Sequence, residues 1–521
     1  MSLKKGDIVT GEVIRLDFPN KGIVETNEGD RLTVKNVLPG QEILCRVKKT
    51  RKNREEGTPL ETTRRSFVEK NQDPCAHFGI CGSCLYQSLL YEDELKIKEE
   101  QLKRLFIPVI GEEDFNSAYD GFTGSPERCG YRNKMEFSFG DEEKGGPLTL
   151  GMHKRGSFYD IVTVSDCRII DPDMRKILLC TLSYFSGNNV TYRHKSTQEG
   201  YLRHLLLRRA VNSKEILMDL VTVSDFSTAY KTDATEKTDE ATLLNGWKEE
   251  ILSLDLEGSI KGILHTKNDS IADVIKDDGT DVLYGEDFFY EELSGLKFKI
   301  TPFSFFQTNS LGAEVLYKKA GEYLIESLPL EGATNEVVLY DLYSGTGTIA
   351  QMMSPYCKKV VGVEIVPEAV EAAKENAGLN GLSNCSFIAG DVLKVLDDIN
   401  DTHEKPDAII LDPPRDGVHP KALPKILSYG VENLIYISCK PTSLVRDLPV
   451  FFEAGYKVKK ICGVDMFPFT AGFEVICQLS KQNRKADAHI DFELTAEVYE
   501  ELAGDEHRKI MDDWKKENNI R

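Results

Sequence analysis

The sequence predicts an α/β protein: a doubly wound parallel sheet in the C-terminal part, preceded by a small N-terminal β-barrel and a central α+β segment. Two observations predict this order. Residues 6 to 66 contain short alternating strands separated by turns, which is typical of a small barrel. From residue 301 onwards, apolar strands alternate with helical stretches. We divide the chain into 1–66, 67–300, 301–480 and an acidic C-terminal extension, 481–521.

The composition bears on the cellular compartment of the protein and on the kinds of partner it can bind. The 521 residues include 65 Lys and Arg against 85 Asp and Glu, a formal charge of -20, so any nucleic-acid partner must meet a local basic surface. The opening residues lack the apolar core of a signal peptide, and no stretch reaches the ~20 apolar residues of a membrane span. We therefore expect a cytoplasmic protein without membrane contact. Its 12 cysteines are then metal-bound, catalytic or buried thiols rather than disulfides.

The N-terminal barrel is predicted from five short strands and a basic flank. The strands cover 7–10, 11–15, 21–25, 31–34 and 42–47. The last strand runs into Arg46–Arg54, where six of nine residues are basic and none is acidic. A charge run is often only a solvated loop, but a barrel with a basic flank also suits an RNA backbone. The segment resembles the TRAM domain, an OB-like barrel attached to several RNA-modifying enzymes.

A cysteine cluster follows the barrel. Cys75, Cys81 and Cys84 fall within ten residues, and Cys167 is a candidate fourth ligand. Four thiolates suit either tetrahedral zinc or an iron-sulfur cluster, and spacing alone does not decide, although the wide loop after Cys75 favours a cluster. His77 lies inside this loop and is expected to be structural rather than a ligand. The alternative is a set of unligated thiols.

The rest of the central segment carries weaker signals. The spacing of Leu and Ile between 85 and 120 predicts helix. Cationic and aromatic residues interleave in 131–139 and 150–159. This pattern suits either a sheet with a polar face or a surface that holds single-stranded RNA, with Lys154 and Arg155 as candidate contacts.

Four strands of the C-terminal part end in residues suited to a ligand. The first runs into Gly345-Thr346-Gly347, where glycine lets the backbone approach a ligand closely. The next three end at Glu364, Asp391 and Asp412. An acid about twenty residues after a Gly-x-Gly turn is placed to bind a ribose diol. Because the third glycine of a dinucleotide site is missing, we expect a nucleoside cofactor without pyrophosphate, such as S-adenosylmethionine (SAM).

A fifth strand delivers Cys439 to the same edge of the sheet, just before Lys440 and Pro441. A thiol at a strand end, where proline forces the chain to turn, is a natural place for a nucleophile. Free cysteine is also among the most buried residue types, so this residue taken alone would be interpreted as core.

Taken together, these motifs identify a family resemblance that extends over all but about the last forty residues. The chain resembles the bacterial SAM-dependent RNA uracil-C5 methyltransferases, which have a Rossmann-like class I methyltransferase domain. The family includes 23S rRNA enzymes with an N-terminal TRAM domain and a [4Fe-4S] cluster. The matching motifs are Cys75-x5-Cys81-x2-Cys84 with Cys167, Phe305-Phe306-Gln307-Thr308-Asn309, Asp341–Gly347, Asp412–Arg415, Ser438–Pro441 and Asp465–Pro468.

The resemblance implies a role for each matching residue. It implies that SAM is contacted by Gln307, Tyr343, Glu364 and Asp412, with Asp391 beside the adenine. It implies that Cys439 is the nucleophile and Glu474 the base. It also implies that the [4Fe-4S] cluster is held by Cys75, Cys81, Cys84 and Cys167.

These residue types fit methylation at C5 of uracil. Uracil C5 is too weak a nucleophile to take a methyl group unaided, so a thiolate adds to C6 and makes an enolate whose C5 attacks the methyl group. A carboxylate then removes the C5 proton so that the cysteine can leave. Gln307 and Arg415 are the two candidate donors to the enolate oxygen.

Three residues depart from the family pattern. Lys440 follows the cysteine where the family usually has Asn, and a cation there is expected to lower the thiol pKa. Phe469 and Gly472 lie in a late motif that often carries His in the family. Without this His, the motif does not identify the residues that relay the proton.

Other functions explain less of the sequence. Amino-group methyltransferases stack the target base on an aromatic residue where Arg415 stands here, and cytosine-C5 RNA enzymes need a cysteine in that Pro-rich loop, which this chain lacks. A non-catalytic RNA-binding iron-sulfur protein would leave Cys439 and Glu474 unexplained. We expect a monomer acting on 23S rRNA rather than tRNA, because the tRNA enzymes of the family generally lack the barrel and the cluster, a preference that rests on analogy.

Overall fold

The computed structural model describes residues 3–51, 54–231, 237–327, 336–399 and 404–482. The predicted acidic extension lies almost entirely outside the described residues, at 483–521, as do Lys52 and Asn53 of the basic run. Within the described ranges, no helix is both long enough and apolar enough to cross a membrane.

The N-terminal segment forms a closed barrel, as predicted, and it contains five strands. They are β1 (Ile8–Asp17), β2 (Lys21–Thr26), β3 (Arg31–Val34), β4 (Glu42–Arg51) and β5 (Arg54–Arg64), joined in the order β1-β2-β3-β5-β4. Their inward side chains, such as Val13, Val24 and Ile43, form a separate apolar core. Two predicted strands merge in β1, because Gly11 does not end a strand. A Cβ atom there would lie 2.5 Å from the Glu25 carbonyl oxygen, so this glycine allows β2 to approach closely.

A long helix connects the barrel with the C-terminal sheet. Helices α1 (Tyr91–Ile110) and α2 (Glu112–Ala118) lead into strand β6 (Tyr119–Thr123). Leu102 and Phe106 of α1 are fully buried in the core that also contains the C-terminal strands. Residues 91 to 123 therefore pack with the C-terminal sheet, although they precede the central one in sequence.

The central part is a seven-stranded sheet with two helices on it. Its elements are β7 (Lys134–Gly140), β8 (Thr149–His153), β9 (Ile161–Val162), α3 (Pro172–Gly187), β10 (Leu202–Arg209), β11 (Glu215–Thr222), α4 (Glu240–Leu252), β12 (Ser259–Lys267) and β13 (Thr280–Gly285), with a short 3₁₀ helix at Phe226–Thr228. The strand order is β13-β12-β11-β10-β7-β8-β9. Ile177 of α3 and Trp247 of α4 are fully buried in the core of this sheet. A hairpin of β14 (Phe289–Leu293) and β15 (Leu296–Ile300) follows.

The C-terminal part is a doubly wound sheet, as predicted. Its elements are α5 (Ser310–Ser327), β16 (Val338–Leu342), α6 (Thr348–Met353), β17 (Lys359–Glu364), α7 (Pro367–Leu379), β18 (Cys385–Ala389), α8 (Val392–Ile399), β19 (Ala408–Leu411), α9 (Ala422–Ser428), β20 (Asn433–Ser438), α10 (Pro441–Glu453), β21 (Tyr456–Val464) and β22 (Glu474–Lys481), with a 3₁₀ helix at Ser354–Tyr356. The order is β18-β17-β16-β19-β20-β22-β21-β6. The first five strands of this order are parallel. The strands β17, β16, β19 and β20 are mostly buried, whereas the edge strand β18 is more exposed. Strand β6 completes the opposite edge by pairing with β21.

The barrel is attached to the rest of the molecule by apolar contacts. Leu16 and Leu38 of the barrel pack with Leu85 and Ile97. Phe18, just beyond β1, is buried in the large core of the C-terminal sheet. The barrel is thus packed against the same part of the molecule that carries the predicted site.

Candidate active site

The carboxyl ends of the parallel strands open onto one large cavity of about 2030 Å³. Strand β16 has β17 on one side and β19 on the other, so this edge is the topological switch point where doubly wound sheets bind ligands. The cavity is lined by all seven residues predicted to bind the cofactor or to act in catalysis: Gln307, Tyr343, Glu364, Asp391, Asp412, Cys439 and Glu474. The fold therefore brings together residues from widely separated motifs.

The turn after β16 contains three residues with positive φ. Tyr343, Gly345 and Gly347 have φ angles of 71°, 52° and 74°. A Cβ atom on Gly347 would lie 2.6 Å from the ring of Phe387, so both the backbone angle and the space require glycine. The turn places Tyr343 and Ser344 in the cavity wall.

Two features of this wall fit a nucleoside cofactor. The Glu364 carboxylate is held by two backbone amides, since Oε2 accepts from Gly345 N and Oε1 from Val366 N, both at 3.0 Å. Ser344 Oγ is buried and has no hydrogen-bond partner among the described residues. A fixed acid at the end of the second strand suits a ribose diol, and a buried unpaired hydroxyl suits a polar ligand.

Cys439 directly follows β20, and Glu474 begins the neighbouring strand β22. Ser438, the last residue of β20, pairs with Val475 of β22 in antiparallel register. Cys439 and Glu474 are therefore the next position on each chain, and both line the cavity. A thiol and a carboxyl group can therefore act on the same ligand.

Burial determines the charge of both groups. Burial, assisted by the carboxylates of Glu474 and Asp412, raises the pKa of the Cys439 thiol to about 11, and the Arg415 guanidinium opposes this shift. Burial and the charge of Asp412 also raise the pKa of Glu474 well above its ordinary value, again against Arg415. The pKa of Asp412 is raised to about 7 by burial. Without a further cation in the cavity, Cys439 and Glu474 favour their protonated forms.

The cation that acts on the cysteine is Arg415 rather than Lys440. Arg415 lines the cavity and lowers the pKa of Cys439, whereas Lys440 does not line it. The Nζ atom of Lys440 lies 3.9 Å from Asp416 Oδ1, near the surface. The expectation that Lys440 activates the thiol is corrected, because α10 begins directly after this residue and the side chain is directed to Asp416.

Several cavity residues were assigned no role from the sequence. Phe305 is 68% exposed in the cavity, and Tyr317 lies buried at its wall. Arg132 also lines it, with its Nε donating to Lys134 O at 3.1 Å. Tyr317 lies on the apolar face of α5, so its spacing indicates only core. The interleaved cations and aromatic residues of 131–139 are the one sequence signal for Arg132.

The two departures in the late motif have different environments. Gly472 lines the cavity, together with Phe467, Thr470 and Ala471. Phe469 is buried instead in the core of the central sheet. Of the two departures, only Gly472 therefore changes the surface that a ligand contacts.

The four predicted cluster ligands line a second, smaller pocket: Cys75, Cys81, Cys84 and Cys167. Burial raises the pKa of Cys84 to about 12 and that of Cys167 to about 11. In the described part of the chain, no group of three or more His, Cys, Asp or Glu side chains is arranged so that it could hold a metal ion. The donor set nevertheless fits a four-thiolate group, because four cysteines from two distant segments face one pocket.

Two neighbours of this pocket have structural contacts. His77 Nε2 accepts from the Asp166 amide at 3.2 Å, which agrees with its predicted structural role. Arg155 donates to the Cys84 carbonyl at 2.6 Å and lies over the Phe78 ring. The guanidinium group of Arg155, a candidate RNA contact, therefore stabilises the cysteine segment.

Comparison with known proteins identifies the family. Residues 274–482 match the family model described as tRNA (uracil-5-)-methyltransferase. An RNA methyltransferase from Clostridium tetani, named as uncharacterized, is 41% identical over 490 residues, covering 93% of this chain and 100% of the relative. This chain belongs to the RNA uracil-C5 methyltransferase family. A second relative, from Caldanaerobacter subterraneus, is also named an uncharacterized RNA methyltransferase. It is 43% identical to this enzyme, and the match covers 92% of this chain and 100% of the relative.

The fold of this methyltransferase agrees with a solved structure. The Pyrococcus abyssi tRNA (uracil-54, C5)-methyltransferase in complex with S-adenosyl-L-homocysteine has a TM-score of 0.68 and 24% sequence identity, covering 90% of this chain and 99% of that one. The likeness confirms the predicted fold class. The family uses SAM as its methyl donor, so the predicted cofactor is confirmed at this level.

Proposed function

We propose that this enzyme methylates C5 of a uridine in RNA through a covalent adduct between Cys439 and C6 of the base. The observation that carries the proposal is the common cavity that Cys439 and Glu474 both line, beside the end of the parallel sheet. Gln307, Tyr343 and Glu364 line the same cavity and are assigned to SAM, with Asp391 and Asp412. One thiol and one carboxyl group are sufficient for the proposed reaction.

The proposed reaction assigns one role to each group. The Cys439 thiolate forms a bond to C6, and the electrons released toward O4 return through C5 to form the new carbon–methyl bond. The bond between that methyl group and the sulfur of SAM breaks, and its electrons stay on the sulfur, so that S-adenosyl-L-homocysteine is the leaving group. The Glu474 carboxylate takes the C5 proton, the C5–C6 double bond re-forms, and the thiolate leaves. Arg415 is the donor suited to the enolate oxygen, because it lies in the cavity and already acts on both groups. Bound SAM supplies the methyl group and a sulfonium charge that favours the ionised thiol and carboxylate.

We assign 23S rRNA as the substrate. The closed N-terminal barrel supports this assignment, since an OB-like barrel with a basic flank suits an RNA backbone, and we propose that residues 1–66 are a TRAM-like RNA-binding domain. We propose that residues 67–300 carry the cluster and that residues 301–480 are the catalytic part, whose sheet is completed by β6 from the preceding segment. We propose a monomer that works in the cytoplasm, where its thiols stay reduced.

A second candidate substrate is tRNA. It is favoured by the description of the matching family and by the name of the solved Pyrococcus abyssi enzyme, which both specify tRNA. The reaction at the uracil is the same for both substrates. The two candidates therefore differ only in which RNA the enzyme selects.

We propose further that a [4Fe-4S] cluster is held by Cys75, Cys81, Cys84 and Cys167. The four thiols line one pocket, and four cysteine thiolates are the donor set of a [4Fe-4S] cluster. The wide loop between Cys75 and Cys81 departs from the usual spacing of a zinc site, which favours a cluster over zinc.

The test uses RNA that contains 5-fluorouridine. Fluorine at C5 cannot leave as a proton, so the adduct should accumulate as RNA-linked protein on a denaturing gel, only with SAM present and only while Cys439 is intact. Cys439→Ala should give no band, and Cys385→Ala, a cysteine outside the cavity, should trap like the wild type. Separate reactions with 23S rRNA and tRNA identify the substrate. A SAM-binding enzyme that traps neither RNA would overturn the covalent mechanism.

A further inference from the structure

A cluster of fully buried charges joins helix α1 to the segment before Glu474. Lys98 Nζ donates to Glu94 Oε1 and to Asp465 Oδ1, both at 2.8 Å, and all three side chains have 0% exposure. Arg128 donates to Glu94 Oε2 at 3.2 Å. Two cations thus balance two anions. Burying Lys98, Glu94 and Asp465 is costly, and the cost is recovered only if each of these groups keeps its partners.

The same charges hold the backbone of the loop between β21 and β22, residues 465–473. Lys98 Nζ also donates to Phe467 O at 3.3 Å, and Glu94 Oε1 accepts from Phe469 N at 2.6 Å. Phe469 has a φ of +68°, an angle that non-glycine residues adopt rarely and that needs support from its surroundings. The Arg128 guanidinium lies over the Phe469 ring, 4.1 Å from its centroid.

Neighbouring groups complete this attachment. Tyr131 donates to Pro468 O at 3.0 Å, and the amides of Leu85 and Tyr86 donate to Phe469 O at 2.8 and 2.9 Å. Tyr91 donates to Asp465 Oδ2 at 2.9 Å. The outer side of the 465–473 loop is therefore fixed by directional hydrogen bonds.

The inner side of this loop forms a wall of the active cavity. Phe467, Thr470, Ala471 and Gly472 line the cavity, and Glu474 follows at the start of β22. A shift of the loop changes the space in which uracil meets Cys439. The residues assigned to SAM at the ends of β16 and β17 belong to other elements, so they do not shift with the loop. Catalysis depends steeply on such placement.

We infer that Lys98 is a positioning residue, which orders the 465–473 loop so that the uracil ring is held against Cys439. This inference rests on the proposed function, because it concerns the placement of the base for thiol attack. Lys98 touches neither substrate nor cofactor. It acts through Asp465, Glu94 and the Phe467 carbonyl.

The test measures the rate of adduct formation with 5-fluorouridine RNA, divided by the number of SAM-binding sites. For Lys98→Met we expect this rate to fall by about tenfold to a hundredfold, with the SAM dissociation constant unchanged. A role in stability alone would reduce the number of SAM-binding sites but leave the rate per site as it is. Lys96→Met is the control, because Lys96 lies on the same helix, is 67% exposed and pairs with Asp93.

A second variant guards against a failure to fold. Lys98→Met leaves Glu94 and Asp465 facing the single cation Arg128, whereas Lys98→Met with Asp465→Asn restores the balance of charge. We expect the double variant to bind SAM and still to trap slowly. Wild-type trapping per site in the double variant would overturn the inference. If the wild-type enzyme itself forms no adduct, the proposed mechanism fails instead, so the two failures are distinguishable.

Discussion

The ring of Phe18, at the end of the first barrel strand, packs edge-on against the ring of Phe473, with centroids 5.1 Å apart and an angle of 75° between the planes. Phe473 directly precedes Glu474 and also contacts Phe122 at 5.4 Å. The N-terminal barrel therefore reaches the residue next to the proposed base.

Replacing Phe18 by Ala should destabilise the protein strongly. Removing a buried aromatic side chain leaves a cavity, so we expect the free energy of unfolding to fall by about 3 kcal/mol in urea titrations. Phe67→Ala is the matched control, because Phe67 is 81% exposed and its loss should change the free energy by about 0.5 kcal/mol or less. Equal effects of the two changes would show that the Phe18–Phe473 contact contributes little.

Gly347→Ala should weaken SAM binding. The new Cβ would enter the ring of Phe387 and would occupy a residue with positive φ, so the turn after β16 must distort. We expect the SAM dissociation constant, measured by calorimetry, to rise at least about tenfold, equivalent to about 1.4 kcal/mol. Gly378→Ala, at an exposed helical position with open space around it, should leave SAM affinity unchanged. Unchanged affinity in Gly347→Ala would place the cofactor elsewhere.

Alkylation of Cys439 should depend on pH in a defined direction. The pKa of about 11 means that the reactive thiolate is scarce at neutral pH, and its fraction rises roughly tenfold per pH unit up to that value. Iodoacetamide labelling of the free enzyme, followed by peptide mass spectrometry, measures this rate. Arg415→Met should slow labelling further because a cation is removed, whereas Lys440→Met should not. The reverse order would restore Lys440 as the activating residue.

Glu474→Gln should stop the reaction after methyl transfer. The amide cannot accept the C5 proton, so adduct should accumulate with ordinary uridine RNA and turnover should fall by about 10²–10⁴-fold. A denaturing gel with methyl-labelled SAM detects the adduct. Asp416→Asn is the control, since Asp416 is 97% exposed and does not line the cavity. Lost turnover without adduct would assign Glu474 to a step before thiol attack.

The cysteine pocket should contain iron and sulfide in anaerobically purified enzyme. For a cubane cluster we expect about four of each per chain, and Cys75→Ser should reduce both. Cys129→Ser is the control, because Cys129 is exposed and does not line the pocket. Zinc in place of iron, or wild-type iron content in Cys75→Ser, would contradict the assignment.

The C-terminal fold was predictable because most of its parallel strands, such as β16, β17 and β19, are buried on both faces. Such strands appear as continuous apolar runs, so the ends at Glu364 and Asp412 could be located from sequence. Strand β5 was missed, because its residues, Arg54–Arg64, are mostly polar and include proline. The placement of β6 was also missed, since its pairing with β21 depends on contacts far apart in the chain.

The candidate site was predictable in its residues more than in its electrostatics. Motifs named Cys439 and Glu474, but sequence neighbours do not show which cation faces a thiol. Lys440 is adjacent in sequence and directed away, whereas Arg415 arrives from another loop. The buried pair of Lys98 and Asp465 gave no signal either, because a lysine on a charged helix usually indicates a solvated face.

The pairing of β6 with β21 also has a consequence for synthesis on the ribosome. Tyr119 of β6 pairs with Ile461 of β21, so the first partner emerges long before the second. A nascent chain that ends after the central sheet has β6 without its partner, and a fragment that starts at residue 301 exposes the edge of β21. Unpaired edges promote aggregation, so we expect the catalytic part to be obtained in folded form only together with the N-terminal residues that complete its sheet.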